Sequence, residues 1–373
     1  MYNNSGRPDA MLFCGALLCC SAGMLLAASM QYIGAGQEFT SGSVTGLLWT
    51  HIAAVLAGGV LCALLTLIGS DTLARHGGAV LAGGLLLTLL TFTPLGYSPE
   101  GSDDRAWISL GFTTVQPSEI LKLCFIISFA AHIMQAGERI NEPRDLALLL
   151  LHAAVPTGIV WAQGDQGTCV IFIVIAAAML VVGGLSVRII TAALLLSPIA
   201  AWGAWGLLGE HQKQRLAVLL DPSLDPLGTG FQQLSAGKAL ASGGWFGSGL
   251  FSRERELVYV SQSQNDFIFS YAAQTGGFLL CAVIVLLLFG TVMRAAVLSG
   301  RSRGAGRLMS AGAAAMLFAH TFINIAMVLG FMPVIGVPLP FISAGGTAVV
   351  SMLGGIGLVQ AGTGPKANEI QGG

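Results

Sequence analysis

The sequence predicts an all-α polytopic membrane protein with about ten transmembrane helices and one long extracytoplasmic loop between the seventh and eighth. Three observations lead there. Of 373 residues, 54% are hydrophobic and 9% charged, whereas soluble domains carry about 25% charged residues. The apolar residues gather into runs close to the ~20 residues that cross a bilayer. The lysines and arginines divide unevenly between alternate connections, as the positive-inside rule requires.

The first apolar run, 11–33, is too long for a signal-peptide core of about 7–15 residues and reads as a retained span. Further spans are expected at 45–69, 77–96, 117–135, 146–163, 168–185, 188–208, 267–292, 309–331 and 338–361. The fifth and sixth are short and joined by "QGDQGT", a tight hairpin. With the N-terminus in the cytoplasm, Arg7, Arg75, Arg139, Arg144, Arg188, Arg294, Arg301, Arg303, Arg307 and Lys366 fall inside. Arg105 is the only cation in a short outer connection. Lys213, Arg215, Lys238, Arg253 and Arg255 belong to the long segment, which the rule discounts. Residues 1–373 are read as a single membrane-embedded domain, with cytoplasmic tails at 1–10 and 362–373. The long loop spans 210–265. It carries the turn-forming string "DPSLDPLGTG", and Trp245 and Phe246 between glycines suggest a segment dipping into the membrane interface.

Composition also narrows function. A net charge of −1 argues against nucleic-acid binding. The seven cysteines lie in or beside apolar runs, without zinc or disulfide spacing, and read as small buried hydrophobes.

Ionisable groups near a bilayer are costly, so each is a functional candidate. Glu119 and Lys122 of "QPSEILK" share one helix face. They are read either as an ion pair tying helices together or as a grip on a polar headgroup. Asp165, at the tip of the hairpin, is either an Asx-type turn or a metal or substrate contact. Asp266, before the eighth span, is either a helix cap or a site residue. All fall on the outer side with Arg215 and with "PVIGVPLPFISAGG", whose prolines break regular helix and whose Gly345 and Gly346 admit a backbone or a ligand. Irregular backbone at membrane depth is tolerated where it lines a wet cavity. An outward-facing polar cavity is therefore expected.

The strings "WISLGFTTVQPSEILK", "GDQGT", "LLDPSLDPLGTGFQ", "SGGWFGSG", "NDFIF" and "PLPFISAGG" occur in order from Trp107 to Gly346. Together they resemble the SEDS family (shape, elongation, division and sporulation), the group of FtsW, RodA and SpoVE. The resemblance implies a peptidoglycan glycosyltransferase that polymerises lipid II on the outer face of the bacterial cytoplasmic membrane, beside a class B penicillin-binding protein. It implies that Asp266 is catalytic, that Glu119 and Lys122 are the family's buried pair, and that Asp165 is the aspartate of its "PDLGT" pattern. Gln264 and Asn265 stand where the family usually has histidine and threonine, and "SYAAQTGG" lacks the acids that usually follow.

The expected chemistry is proton removal by Asp266 from the acceptor hydroxyl as it attacks an anomeric carbon, inverting that centre. Arg215 is the leading candidate for holding the departing pyrophosphate, with Lys238, Arg253 and Arg255 behind it. A divalent cation, magnesium or manganese, is a candidate to share that task. Gln232 and Ser343 are further candidate substrate contacts. Gln116, Pro340, Gly345 and Gly346 are expected to shape the cavity with the Glu119–Lys122 pair. A lipid-precursor flippase and a non-catalytic scaffold for a penicillin-binding protein are the alternatives.

Overall fold

The computed structural model describes residues 8–34, 46–98, 104–111, 113–206, 209–252 and 257–363. Arg7, Arg253, Arg255 and Lys366 lie outside them. The chain enters α1 (Ala10–Gly34), α2 (Leu47–Ile68), a short α3 (Ser70–Arg75) and α4 (Gly77–Leu89). A small antiparallel sheet follows, with β1 (Gly96–Tyr97) on β2 (Trp107–Ser109) and β2 on β3 (Thr114–Val115). The helices α5 (Pro117–Ala136), α6 (Pro143–Ala162), α7 (Gln166–Val182) and α8 (Val187–Trp205) come next, then α9 (Glu210–Leu220) and α10 (Thr229–Ser242). The chain closes with α11 (Ile268–Arg301), α12 (Gly304–Val328) and α13 (Gly346–Thr363).

All ten expected spans are helices. Seven, namely α1, α2, α5, α6, α11, α12 and α13, are long and apolar enough to cross a membrane, and three shorter apolar helices begin at Gly77, Gln166 and Val187. Starts follow local chemistry. Pro117 and Pro143 occupy first turns, where a missing N–H costs nothing. The Asp9 carboxylate accepts from the Leu12 amide and so caps α1. Most of α5, α12 and α13 is buried, and these helices form the centre of the bundle. Small residues let them approach. A Cβ added at Gly357 of α13 would lie 2.8 Å from the Cys62 Cα of α2, the close contact through which helices associate in lipid. The described side chains of α8 from Thr191 to Ile199 are all exposed.

The two ends of the bundle are chemically distinct. At one end Asp9 pairs with Arg294 of α11, while its backbone exchanges hydrogen bonds with the Gln360 amide of α13. The starts of α5, α7, α11 and α13 lie together at the other end. Residues 9 and 360 thus share an end of the bundle.

Three expectations change. The 210–265 segment, for which only turns and a dipping stretch were expected, carries α9, a 3-10 turn at Pro222–Leu224 and α10. The last span begins at Gly346 rather than 338, because Pro338 and Pro340 hold the preceding stretch outside any helix. The eighth span runs on to Arg301 and is broken at Gly277, whose φ of 68° favours glycine. The break frees backbone groups that the "GGWFGSG" segment satisfies. Ser248 and Gly249 amides donate to the Gln274 and Thr275 carbonyls, and the Phe278 and Leu279 amides donate to Gly244 and Trp245. That segment is docked into the kink, with Trp245 edge-on to Phe278.

Candidate active site

The first turns of α5 bring Glu119 and Lys122 to one face, paired at 2.7 Å and fully buried. Lys122 Nζ also lies 2.6 Å from His320 Nε2 of α12, and His320 Nδ1 lies 3.2 Å from the Pro338 carbonyl. An ammonium only donates, so Nε2 accepts and Nδ1 carries the proton given to Pro338. The pair therefore ties α5 to α12 and to the proline-rich segment. Burying two charges costs several kcal/mol per ion unless each is well partnered, and Glu119 Oε2 has no partner among the described residues.

Asp165 caps α7. Its Oδ1 accepts from the Thr168 amide at 2.9 Å, while Oδ2 accepts from Gln116 Nε2 at 2.8 Å. Burial is the largest influence on it and raises its pKa. Gln116 also donates its backbone N–H to Thr347 Oγ1, joining α5 to α13. A Cβ at Gly167 would lie 2.5 Å from the Ile335 carbonyl, so the glycine after Asp165 lets the 333–340 segment reach the start of α7.

Asp266 is not a helix cap. The cap position of α11 is Phe267, which offers no side-chain acceptor, and no described group donates to the Asp266 carboxylate. Its backbone, by contrast, is held three times in succession. The Gln264 carbonyl accepts from the Ala344 amide (2.9 Å), the Asn265 carbonyl from Ser343 Oγ (2.6 Å) and the Asp266 carbonyl from Asn324 Nδ2 (2.7 Å). The half-buried carboxylate faces Gly336, where an added Cβ would lie 3.6 Å from Oδ2. Burial, then the carboxylates of Asp165 and Asp104, push its pKa up to about 7. An aspartate so placed is a much better base than one in water.

The other expected residues divide. Arg215 on α9 donates to Gln166 Oε1 at 3.3 Å, one residue from Asp165. Pro340 is buried in the wall of the 333–345 segment. Ser343 corrects an expectation. It is buried, and its hydroxyl is used by the Asn265 carbonyl and the Leu339 amide, so it ties a loop rather than meeting substrate. Gln232 and Lys238 lie on α10, and Lys238 is exposed with no described contact to the acids. Around Gly345 and Gly346 an added Cβ would meet only ordinary contacts, so no backbone approach demands glycine there. Among the described residues, no three His, Cys, Asp or Glu side chains converge to hold a metal ion. His320 and Asn324 were missed by sequence reasoning. Their four-residue spacing in an otherwise apolar span was the available signal.

A family model described as cell cycle protein, covering FtsW, RodA and SpoVE, matches residues 9–362. The chain belongs to the FtsW/RodA/SpoVE family. It is 34% identical over 260 residues to the peptidoglycan glycosyltransferase MrdB of Escherichia coli, covering 68% of this chain and 70% of that protein. It is 28% identical over 361 residues to the probable peptidoglycan glycosyltransferase FtsW of Bacillus subtilis, covering 94% and 89%. Among solved structures, a chain of a peptidoglycan synthase complex that coordinates polymerization and crosslinking superposes with a TM-score of 0.78 at 25% identity, covering 95% of this chain and 97% of that one. The rod shape determining protein RodA of Thermus thermophilus does so at 0.67 and 23% identity, over 95% and 96%, which speaks to the fold. This FtsW/RodA/SpoVE member is an integral membrane protein.

Proposed function

We propose that this protein is a peptidoglycan glycosyltransferase that joins lipid II disaccharides into glycan strands, with Asp266 as the base. The observation that carries the reading is the state of that carboxylate. It is free of hydrogen bonds from described groups, raised to about 7, and mounted on a segment fixed at three consecutive carbonyls. The acceptor hydroxyl attacks the anomeric carbon of the donor sugar, Asp266 takes the hydroxyl proton, and the polyprenyl pyrophosphate departs. Direct displacement inverts the anomeric centre. Arg215, beside Asp165, supplies positive charge to the leaving phosphates, which a guanidinium grips in a bidentate fork. An open, mainly apolar groove of about 820 Å³ between α8 and α9, lined by Trp205, Leu216 and Leu220 among others, is a candidate bed for the lipid chain.

The end of the bundle that carries Asp266 faces outward from the bacterial cytoplasmic membrane in this reading, with residues 9 and 360 on the cytoplasmic side. The distribution of lysine and arginine supports that orientation. Membrane lipids surround the bundle. A class B penicillin-binding protein is the expected partner, by analogy with the related chain found in a complex that couples polymerization to crosslinking.

The test is purified protein with lipid II, with and without a class B penicillin-binding protein. Glycan polymer from the wild type and none from Asp266→Asn supports the reading. Lipid movement across vesicles without polymer would identify a flippase. Partner binding without either would identify a scaffold.

A further inference from the structure

We propose that Asn324 is the positioning residue for Asp266, its amide setting the separation of the two backbone segments that face each other across the carboxylate. The inference rests on the glycosyltransferase reading and deepens it. Asn324 lies in α12 and is fully buried. One hydrogen of its Nδ2 goes to the Asp266 carbonyl and the other to the Val337 carbonyl, both at 2.7 Å. The amide orientation follows from these partners, because a flipped group would set Oδ1 against two carbonyl oxygens.

The two carbonyls belong to segments without regular structure, the approach to α11 and the stretch before α13. Neither holds itself in place through helix or strand bonds. The second segment is also the wall opposite the acid, because Gly336, next to Val337, is the residue that Asp266 Oδ2 faces. A single planar amide therefore spans from the carrier of the acid to the surface it points at. One turn earlier on α12, His320 takes the next carbonyl, that of Pro338. The comb formed by these two side chains links the site to the Glu119–Lys122 pair.

Asparagine here carries a cost beside the two bonds it donates. Its Oδ1 is buried without a described partner, and an unpaired buried polar atom costs about 1–3 kcal/mol. Asparagine is also a weaker helix former than leucine. An apolar residue would suit α12 better if packing were the only demand.

The experiment uses the full chain, with Asn324→Leu and the milder Asn324→Ser, which keeps one donor. Glycan formation from lipid II is measured against substrate concentration and pH, beside amide hydrogen exchange. For Asn324→Leu the expectation is a kcat lower by about 10²-fold, the scale of a 1 Å misplacement, with KM little changed. The acid limb of the pH profile should move to lower pH, since a loosened segment admits water to the carboxylate. Exchange should rise at residues 262–268 and 335–340 and nowhere else. Asn324→Ser should fall between wild type and leucine. Wild-type kcat and an unmoved acid limb in both folded variants would overturn the proposal. If the wild type makes no polymer, the glycosyltransferase reading fails by itself. Exchange then decides the positioning claim, with unchanged protection at 262–268 refuting it and local loss supporting it.

Discussion

Lys122 Nζ lies 2.6 Å from His320 Nε2 and 2.7 Å from Glu119 Oε1, so one buried ammonium joins α5 to α12. These contacts support an architectural role for the groups. Removing one partner leaves a buried charge uncompensated, at a cost of about 3–5 kcal/mol. Lys122→Met should therefore lower the unfolding temperature sharply in detergent, while Glu119→Gln combined with Lys122→Met should recover much of the loss. The double variant should also keep most of its polymerising activity. A stable double variant as inactive as Asp266→Asn would place the pair in the chemistry instead.

Stability should depend on pH through Asp266. Its folded pKa of about 7 stands above the ordinary carboxyl value of 3.8. Between those values the folded state holds the proton that the unfolded chain has released. The unfolded state binds fewer protons, so stability falls as pH rises from about 4 to about 7. Asp266→Asn removes that dependence. Asp266→Asn should match the wild type in melting temperature near pH 4 and exceed it at pH 8. A difference independent of pH would contradict the burial argument.

The kink in α11 offers a test of the scaffold. Alanine at Gly277 meets a backbone of φ 68° and ψ −167°, a region kept almost wholly to glycine and costing about 1–3 kcal/mol, and its Cβ would lie 2.5 Å from the Gly247 amide nitrogen. Gly277→Ala should destabilise the protein and raise proteolysis or hydrogen exchange at 243–249. Unchanged protection of that segment would show that the kink does not hold it.

Arg215 is argued to meet phosphate oxygens that gain charge as the bond breaks. Arg215→Ala should lower kcat/KM by about 10²-fold, the usual effect of losing one such donor, with partial recovery in Arg215→Lys. Equal activity in all three would remove Arg215 from the site.

The spans were legible because each announces itself by length and apolarity without help from distant residues. The cluster of Asp165, Asp266 and the Glu119–Lys122 pair at one end was legible for a related reason, since charges near lipid are rare and topology assigns them a side. What depends on partners far along the chain was hidden. The pair at Gly276 and Gly277 could be read as ordinary membrane-helix glycines, and only the docked 243–249 segment shows that they mark a break. Ser343 looked free for substrate until the Asn265 carbonyl was brought to it. Asp266 looked like a cap because it precedes a helix, yet its carboxylate turns towards Gly336 instead. The helices α9 and α10 were overlooked beneath a strong turn signal, although "FQQLSAGKALAS" is rich in helix formers. His320 and Asn324 carry no formal charge and escaped a search for charged groups.

The most direct measurement is the initial rate of glycan formation from lipid II as a function of pH, for the wild type and for folded Asp266→Asn. The account predicts a wild-type acid limb centred near pH 7 and a rate in the variant lower by about 10²–10⁴-fold above that pH, the difference narrowing as the wild-type carboxylate is protonated at lower pH. A variant that polymerises at the wild-type rate, with the same pH profile, would contradict it.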